Sequence, residues 1–232
     1  MTAIYSLSRR ALAEFIGTLA LIFVGGGSIL SDKLSGGNVT LVGIALANGL
    51  TIAVMASAFG HISGAHLNPA GTLGAFFAKR ISATDGAVYW ISQLAGAAAG
   101  ALLLTLVFDP ATTAAASLAT PGFGAGVSIS QGLTFEIAAT FFLVLVVCAT
   151  AIDERGAFAV VSGLPIGFVV TVNILAGGPL TGAAMNPARA FGPAAVGGYW
   201  ANHWVYWVGP LVGGAIAGLL YSGLYLTRRA VP

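Results

Sequence analysis

Read for apolar and polar positions alone, the chain is a series of long apolar runs separated by short polar breaks. A helix rising about 1.5 Å per residue needs about 20 mainly apolar residues to cross a hydrocarbon core of about 30 Å. Six runs meet that length, near 11–30, 39–59, 87–108, 132–152, 158–177 and 204–226. Two further apolar runs, 68–78 and 186–195, are too short. Eleven residues cover roughly 16 Å, half of the core. Two such half-helices entering from opposite faces meet near the midplane. The irregular backbone ahead of each is tolerated in a membrane only where it is buried in protein or lines wet space. The pattern therefore predicts an all-α membrane protein with six spans, two re-entrant half-helices, and a pore or internal cavity.

The two short runs open in the same way. Residues 63–74 read SGAHLNPAGTLG and residues 181–192 read TGAAMNPARAFG. Asn is a favoured helix cap and Pro suits the first helical position. A capping Asn accepts from the backbone with its side-chain oxygen, which leaves its NH₂ group to donate elsewhere. One such copy is an ordinary helix start. Two copies with matching flanks make Asn68 and Asn186 the first functional candidates. The repeat extends further: AEFIGTLALIFV (13–24) matches FEIAATFFLVLVV (135–147), with Glu14 opposite Glu136, and WISQLAGAAAGALL (90–103) matches WVGPLVGGAIAGLL (207–220). Three spans per half place the halves in opposite orientations, as inverted repeats at about 9–108 and 130–226 of a single domain, 1–232. The Gly and Ala faces suit close helix packing in lipid.

Composition agrees. The chain of 232 residues is 57% hydrophobic and 7% charged, against about a quarter charged in soluble domains. A net charge of +2 without a basic tract argues against nucleic-acid binding. Cys148 is the single cysteine, so there is no internal disulfide and no cysteine metal site. The basic start followed by an apolar run has the outline of a signal peptide, but further spans follow, which predicts an uncleaved first helix. Arg9, Arg10, Lys79, Arg80, Arg155, Arg228 and Arg229 fall on one side of six spans and Lys33 on the other, with Arg189 assigned to the interior. By the positive-inside rule both termini are cytoplasmic and residues 109–131 form the external connection. The expected location is the cell (plasma or inner) membrane.

The doubled Asn-Pro-Ala, the paired glutamates and the inverted halves resemble the aquaporin (major intrinsic protein) family along essentially the whole chain. The resemblance implies a pore in each protomer of a homotetramer. Glycerol facilitators of the family carry Asp after the second motif's Arg and a basic residue four places later. This chain has Ala190 and Ala194 and keeps the pair Tyr206-Trp207, so it is similar to the water-channel branch. Residues 173–193 are especially similar to plant tonoplast and animal ammonia-permeable members. Spacing from the two Asn residues carries the family's narrow filter onto Asn48, Ile174, Ala183 and Arg189. Strict water channels have Phe and His at the first two, and this departure predicts looser selectivity. The resemblance also assigns Asn68, Pro69, Ala70, Asn186, Pro187 and Ala188 to the pore midplane. It assigns a ladder of carbonyls to Gly64, Ala65, His66, Leu67, Gly182, Ala183, Ala184 and Met185.

These residues suggest a mechanism. Backbone carbonyls replace part of the hydrogen bonding that single-file water gives up. The NH₂ groups of Asn68 and Asn186 both donate to one water, whose own hydrogens then point away, so a proton wire is broken. Two half-helix N-termini, each about half a positive charge, and Arg189 disfavour cations. The expected function is passive flow of water, with ammonia, urea or hydrogen peroxide in addition, excluding protons and ions. Glu14 and Glu136 support the re-entrant loops or, as ionisable groups in a membrane, carry protons. The second role would make the chain a proton-coupled secondary transporter. His61 and His66 serve as pore-wall groups or, more weakly, as metal ligands, and His203 as an interface residue. Asn48 bonds a neighbouring helix or lines the pore. No catalytic constellation is visible, and nothing suggests a cofactor.

Overall fold

A computed structural model of the protein describes residues 4–156 and 161–226. In chain order its helices are α1 (Leu7–Leu34), α2 (Thr40–Ser63), the short α3 (Pro69–Phe77) and α4 (Ala83–Val107), followed by the short α5 (Pro110–Ala115) and α6 (Ile129–Ile152). Helix α7 (Gly163–Thr181), the short α8 (Pro187–Gly197) and α9 (Val205–Leu224) complete the chain. Among the described residues, six of these helices are long and apolar enough to cross a membrane, and none of the chain forms a strand.

Each expected run contains a helix, but the ends differ where polar and cyclic residues act. Helix α1 extends at both ends beyond 11–30, since charged and polar residues are accommodated once a helix leaves the hydrocarbon. Helix α7 starts at Gly163 rather than at 158, although 158–160 lie outside the described residues. Pro165 thereby falls in the first turn, where its missing N–H would have no partner in any case. The connection expected to be external, 109–131, is more structured than a tether. Asp109 caps α5, its carboxylate accepting from the backbone N–H and the hydroxyl of Thr112 at 2.9 and 2.6 Å. A single 3₁₀ turn, Ser117–Ala119, follows. Arg228 and Arg229 lie outside the described residues. Of the other expected cytoplasmic cations, Arg10 and Arg80 border one shared cavity. Arg155 donates to the Tyr225 carbonyl just past α9, at the end of that helix. Asp153, at the end of α6, accepts from Arg155 and from Tyr221 of α9. The Arg155 guanidinium beside it holds its carboxyl well below the usual carboxylate range.

Three helix pairs form the frame: α1 with α4, α6 with α9, and α2 with α7. Each closes on glycine. A Cβ on Gly96 of α4 would overlap the Phe15 carbonyl of α1, and one on Gly213 of α9 would overlap the Ile137 carbonyl of α6. In the third pair Gly49 and Gly167 face one another, each against the other's carbonyl. The half-helices cross between halves: α3 packs on α9 as well as α4, and α8 packs on α4. With lipid outside, no hydrophobic force drives helices together, so such contacts rest on close van der Waals packing.

Gly96→Ala and Gly213→Ala should each destabilise the protein by about 1–3 kcal/mol through overpacking, read as a lower melting temperature in detergent. Gly223→Ala, whose Cβ would meet nothing within 4 Å, should leave stability unchanged or raise it. Equal melting temperatures for all three variants would show that these glycines do not set the helix spacing.

Candidate functional site

Helices α2 and α7 end in the same way. Gly64 and Gly182 follow them in the left-handed region, with φ of 86° and 79°. The chain then runs without helix to Asn68 and Asn186, which cap α3 and α8. Four residues without glycine's freedom share the left-handed region here: Ala65 (φ 45°), Leu67 (51°), Ala183 (46°) and Met185 (51°). Such a conformation costs roughly 1–2 kcal/mol per residue, so something must hold it.

The two buried glutamates do so. Glu14 Oε1 accepts from the Ser63 hydroxyl at 2.6 Å and the His66 N–H at 2.9 Å, and its Oε2 accepts from the Leu67 N–H at 2.7 Å and Gln93 Nε2 at 2.8 Å. Glu136 Oε1 accepts from the Thr181 hydroxyl at 2.6 Å and the Ala184 N–H at 2.9 Å, and its Oε2 accepts from the Met185 N–H at 2.8 Å. The same hydroxyls turn round to accept from Ala65 and Ala183. Tyr89 and Tyr206 finish each corner by donating to the Ser63 and Thr181 carbonyls at 2.8 and 2.9 Å. Every recorded partner of these two carboxylates is a donor.

At the meeting point the two Asn side chains cross. Asn68 Nδ2 donates to the Met185 carbonyl at 2.8 Å, and Asn186 Nδ2 donates to the Leu67 carbonyl at 2.9 Å. Their Oδ1 atoms accept from Ala70 at 2.8 Å and Ala188 at 3.0 Å, as caps do. Each NH₂ group therefore keeps one hydrogen to offer. Two of the eight expected ladder carbonyls, those of Leu67 and Met185, serve this cross-link, because the facing amides lie within reach of the opposite loop. Among the described residues the carbonyls of Gly64, Ala65, His66, Gly182, Ala183 and Ala184 accept no recorded hydrogen bond. The Leu67 side chain lies against Gly17, and Gly182 lies against Pro121.

A narrow cavity of about 60 Å³ runs through this point, room for a short file of waters. It brings together Asn48, Ile174, Ala183 and Arg189, then Asn68 and Asn186, then Gly64, Ala65 and His66. Leu143, Val147, Ile166 and Val170 make an apolar wall. Gly64, His66, Val147 and Ile166 also border a wider cavity of about 520 Å³ that includes His61, Arg80 and Glu154. The narrow cavity thus leads into a vestibule at the end of the molecule that carries the cationic loops.

Several side chains have roles that single residues do not advertise. Arg189 donates through Nη1 to the Ala119 carbonyl at 2.9 Å, so the connection between α4 and α6 supplies an acceptor to the buried cation. Asn48 Nδ2 donates to the Ile44 carbonyl of its own helix at 2.9 Å and lies 3.5 Å from the Gly25 carbonyl of α1, and the residue borders the cavity. His66 Nδ1 pairs with the Thr72 hydroxyl at 3.1 Å, and Gln93 reaches the same hydroxyl. His61 packs on Tyr5. His203 Nε2 accepts from Trp207 Nε1 at 3.1 Å, and burial pushes its pKa down. Cys148 is buried against Val144 and Ala217. The sequence alone does not assign Gln93, Thr72, Ala119 or the loop-holding role of the paired tyrosines, although it marks Tyr206. Of these only the tyrosines left a signal, the dipeptide Tyr-Trp at 89–90 and again at 206–207.

A family model described as major intrinsic protein matches residues 1–221. Similar relatives include aquaporin TIP4-4 of Zea mays, 46% identical over 225 residues that cover 95% of this chain and 88% of the relative. Aquaporin TIP1-1 of Arabidopsis thaliana is 46% identical over 234 residues, 97% of this chain and 90% of the relative. Among solved structures, the aquaglyceroporin from Plasmodium falciparum matches with a TM-score of 0.81 over 95% of this chain and 96% of that chain, at 23% identity. At that identity the likeness is one of fold.

Glu136→Gln should leave at least one buried donor without an acceptor, whichever way the amide turns. The expected cost is about 1–3 kcal/mol, read as a lower melting temperature. An unchanged melting curve would show that Glu136 does not hold its loop.

Proposed function

The chain belongs to the major intrinsic protein family, and from that premise we propose that it is a passive membrane channel for water that also admits small neutral solutes. The observation that carries the reading is the crossed asparagine pair inside the narrow cavity. It is a fixed, polar, two-donor point flanked by unpaired carbonyls on one side of the path and an apolar wall on the other. Water entering in single file finds replacements for the hydrogen bonds it loses, at about 1 kcal/mol each. At the midpoint the free hydrogens of Asn68 and Asn186 both fall to one water oxygen. That water's hydrogens face outward, so it does not relay a proton. The N-termini of α3 and α8 and the charge of Arg189 add a positive field that a neutral molecule does not feel as a net penalty. Pro69, Ala70, Pro187 and Ala188 serve by setting the first turn of each half-helix.

The proton-coupled transporter is disfavoured by the glutamates. Glu14 accepts four donors and Glu136 three, and both are fully buried. Their work is to hold the loops. The family is one of channels, and the proposed flow involves no chemistry on the solute. We further infer that the two inverted halves form one channel domain, that four copies assemble with a pore in each, and that both termini face the cytoplasm. The TIP names of the relatives favour a tonoplast over a cell membrane, and the cytoplasmic termini are compatible with either.

Asn48, Ile174, Ala183 and Arg189 act as the filter. In place of an aromatic ring and an imidazole, this chain offers an amide and an aliphatic wall. A wider opening lowers the steric barrier, while a missing imidazole removes a hydrogen bond worth about 1 kcal/mol, or roughly fivefold in rate. A rigid ring excludes a molecule altogether, so size decides. Ammonia, urea or hydrogen peroxide should pass with water, glycerol poorly, and ammonium not at all. In stopped-flow measurements on proteoliposomes, Asn48→Phe/Ile174→His should keep water flow and lose the neutral solutes. Native protein that excludes every one of them as well as the double variant does would refute the filter assignment.

Mercurials provide a separate check on the geometry. Cys148 is buried away from the filter, so water flow should resist them, and Ala183→Cys should make it sensitive. Inhibition of the native protein that disappears in Cys148→Ser would place the cysteine on the path.

A further inference from the structure

Helix α1 departs from α geometry over Leu21–Gly26, where it widens into a π-helical turn. Such turns recur beside functional sites. This one carries Gly25 and Gly26 and is followed by Gly27. The three glycines face different things. A Cβ on Gly25 would stand 2.8 Å from Asn48 Cγ and closer still to its Oδ1. A Cβ on Gly26 would stand 3.0 Å from Leu104 and 3.4 Å from the Cβ of Ala119, the residue whose carbonyl holds Arg189. A Cβ on Gly27 would make only ordinary contact, 3.5 Å from Leu104.

The Asn48 amide therefore occupies the space that a side chain at position 25 would fill. Its Nδ2 is tied back to the Ile44 carbonyl at 2.9 Å and faces the Gly25 carbonyl at 3.5 Å. Asn48 is 3% exposed yet borders the narrow cavity, so its amide lies in the wall of the path and folds back against α1. Only the absence of a side chain at Gly25 leaves room for that. We propose that Gly25, placed by the π turn, is a specificity-determining positioning residue: it lets the Asn48 amide fold back against α1 and so keeps the filter wide enough for neutral solutes larger than water. The inference rests on the reading of Asn48 as a filter residue. A methyl group at position 25 displaces the amide, and the side open to it is the lumen. There it narrows the opening and presents a polar group in the path. Water, the smallest permeant, is affected least.

The test compares native protein with Gly25→Ala, Asn48→Ala, the double variant and Gly27→Ala in proteoliposomes. The readouts are water flow and flow of whichever of ammonia, hydrogen peroxide and urea the native protein passes fastest. Gly25→Ala should reduce the solute flow about tenfold and water flow about twofold or less, the barrier rising by an overpacking cost felt mainly by the larger molecule. In the Asn48→Ala background the same change should have no effect on the ratio, because the side chain to be displaced is gone. Gly27→Ala should behave as native. The proposal is overturned if Gly25→Ala leaves the solute-to-water ratio unchanged, or lowers it equally with and without the Asn48 side chain. Failure of Gly25→Ala to assemble, rescued in the double variant, supports the contact. Failure of both shows that the π turn needs Gly25 whatever stands at 48, and overturns it. If neither the native protein nor Asn48→Ala passes any of the solutes, the filter reading itself falls and the inference with it. If Asn48→Ala alters the ratio and Gly25→Ala does not, the inference falls alone.

Discussion

A backbone inside a membrane must find all of its hydrogen-bond partners within the protein, and every other feature of the path depends on how this chain meets that demand. Two stretches, 64–67 and 182–185, are neither helix nor strand, so their N–H groups have no regular ladder. On one side, the carboxylates of Glu14 and Glu136 take two of those N–H groups in each stretch, and the Ser63 and Thr181 hydroxyls take a third. The carbonyls are then left to the other side, where solvent is. One buried anion per loop thus does two things. It offsets the left-handed strain at Ala65, Leu67, Ala183 and Met185, and it sorts donors from acceptors so that these two stretches offer carbonyls to the path. A buried charge without partners would be costly, but Glu14 is met by four N–H and O–H donors and Glu136 by three. Donor and acceptor solve one another's burial.

The same economy explains the asparagines. The two caps stand close enough that each amide spends one hydrogen on the opposite loop, which fastens the halves at the one place where two short helices would otherwise only abut. The hydrogens left over are few and fixed. A flexible donor would turn with the water it meets, whereas these are held by a cap on one side of the amide and a carbonyl on the other. In the proposed mechanism, orientation of a central water would follow from this rigidity and not from the strength of either bond.

Much of this was legible in the sequence, because it rests on residues that burial makes conspicuous. A glutamate in an apolar run and a capping asparagine before a run half the length of a span are both anomalies, and each occurs twice. What was not legible depends on distance between segments that look ordinary. Nothing in an Ala-, Thr- and Gly-rich connection marks the Ala119 carbonyl as the partner of Arg189. Nothing in Leu-Ile-Phe-Val-Gly-Gly marks a π turn. The use of the Leu67 and Met185 carbonyls was also hidden, because an amide's second hydrogen has no sequence signature. Helix ends moved for local reasons that composition blurs, as at Pro165.

The halves repeat in backbone but not in chemistry, and the differences fall where the path needs direction. Aligned on the two asparagines, His66 faces Ala184, Thr72 faces Ala190 and Gly71 faces Arg189. The first half therefore carries a polar knot, in which His66 and Gln93 share the Thr72 hydroxyl and Gln93 also braces Glu14. The second half replaces the knot with a single cation braced by an outside loop. A symmetric frame fixes the midpoint, which must treat water alike from either side. Selectivity needs only one narrow place, and a second would add resistance without adding discrimination. Placing the cation, the aliphatic wall and the folded-back amide together at one end, and leaving the other end to open into a vestibule, confines the energetic barrier to a few ångströms. With Asn48, Ile174, Ala183 and Arg189 as the proposed filter, selectivity would depend on four side chains and on whatever holds them in place, and one methyl group behind the wall would change what passes.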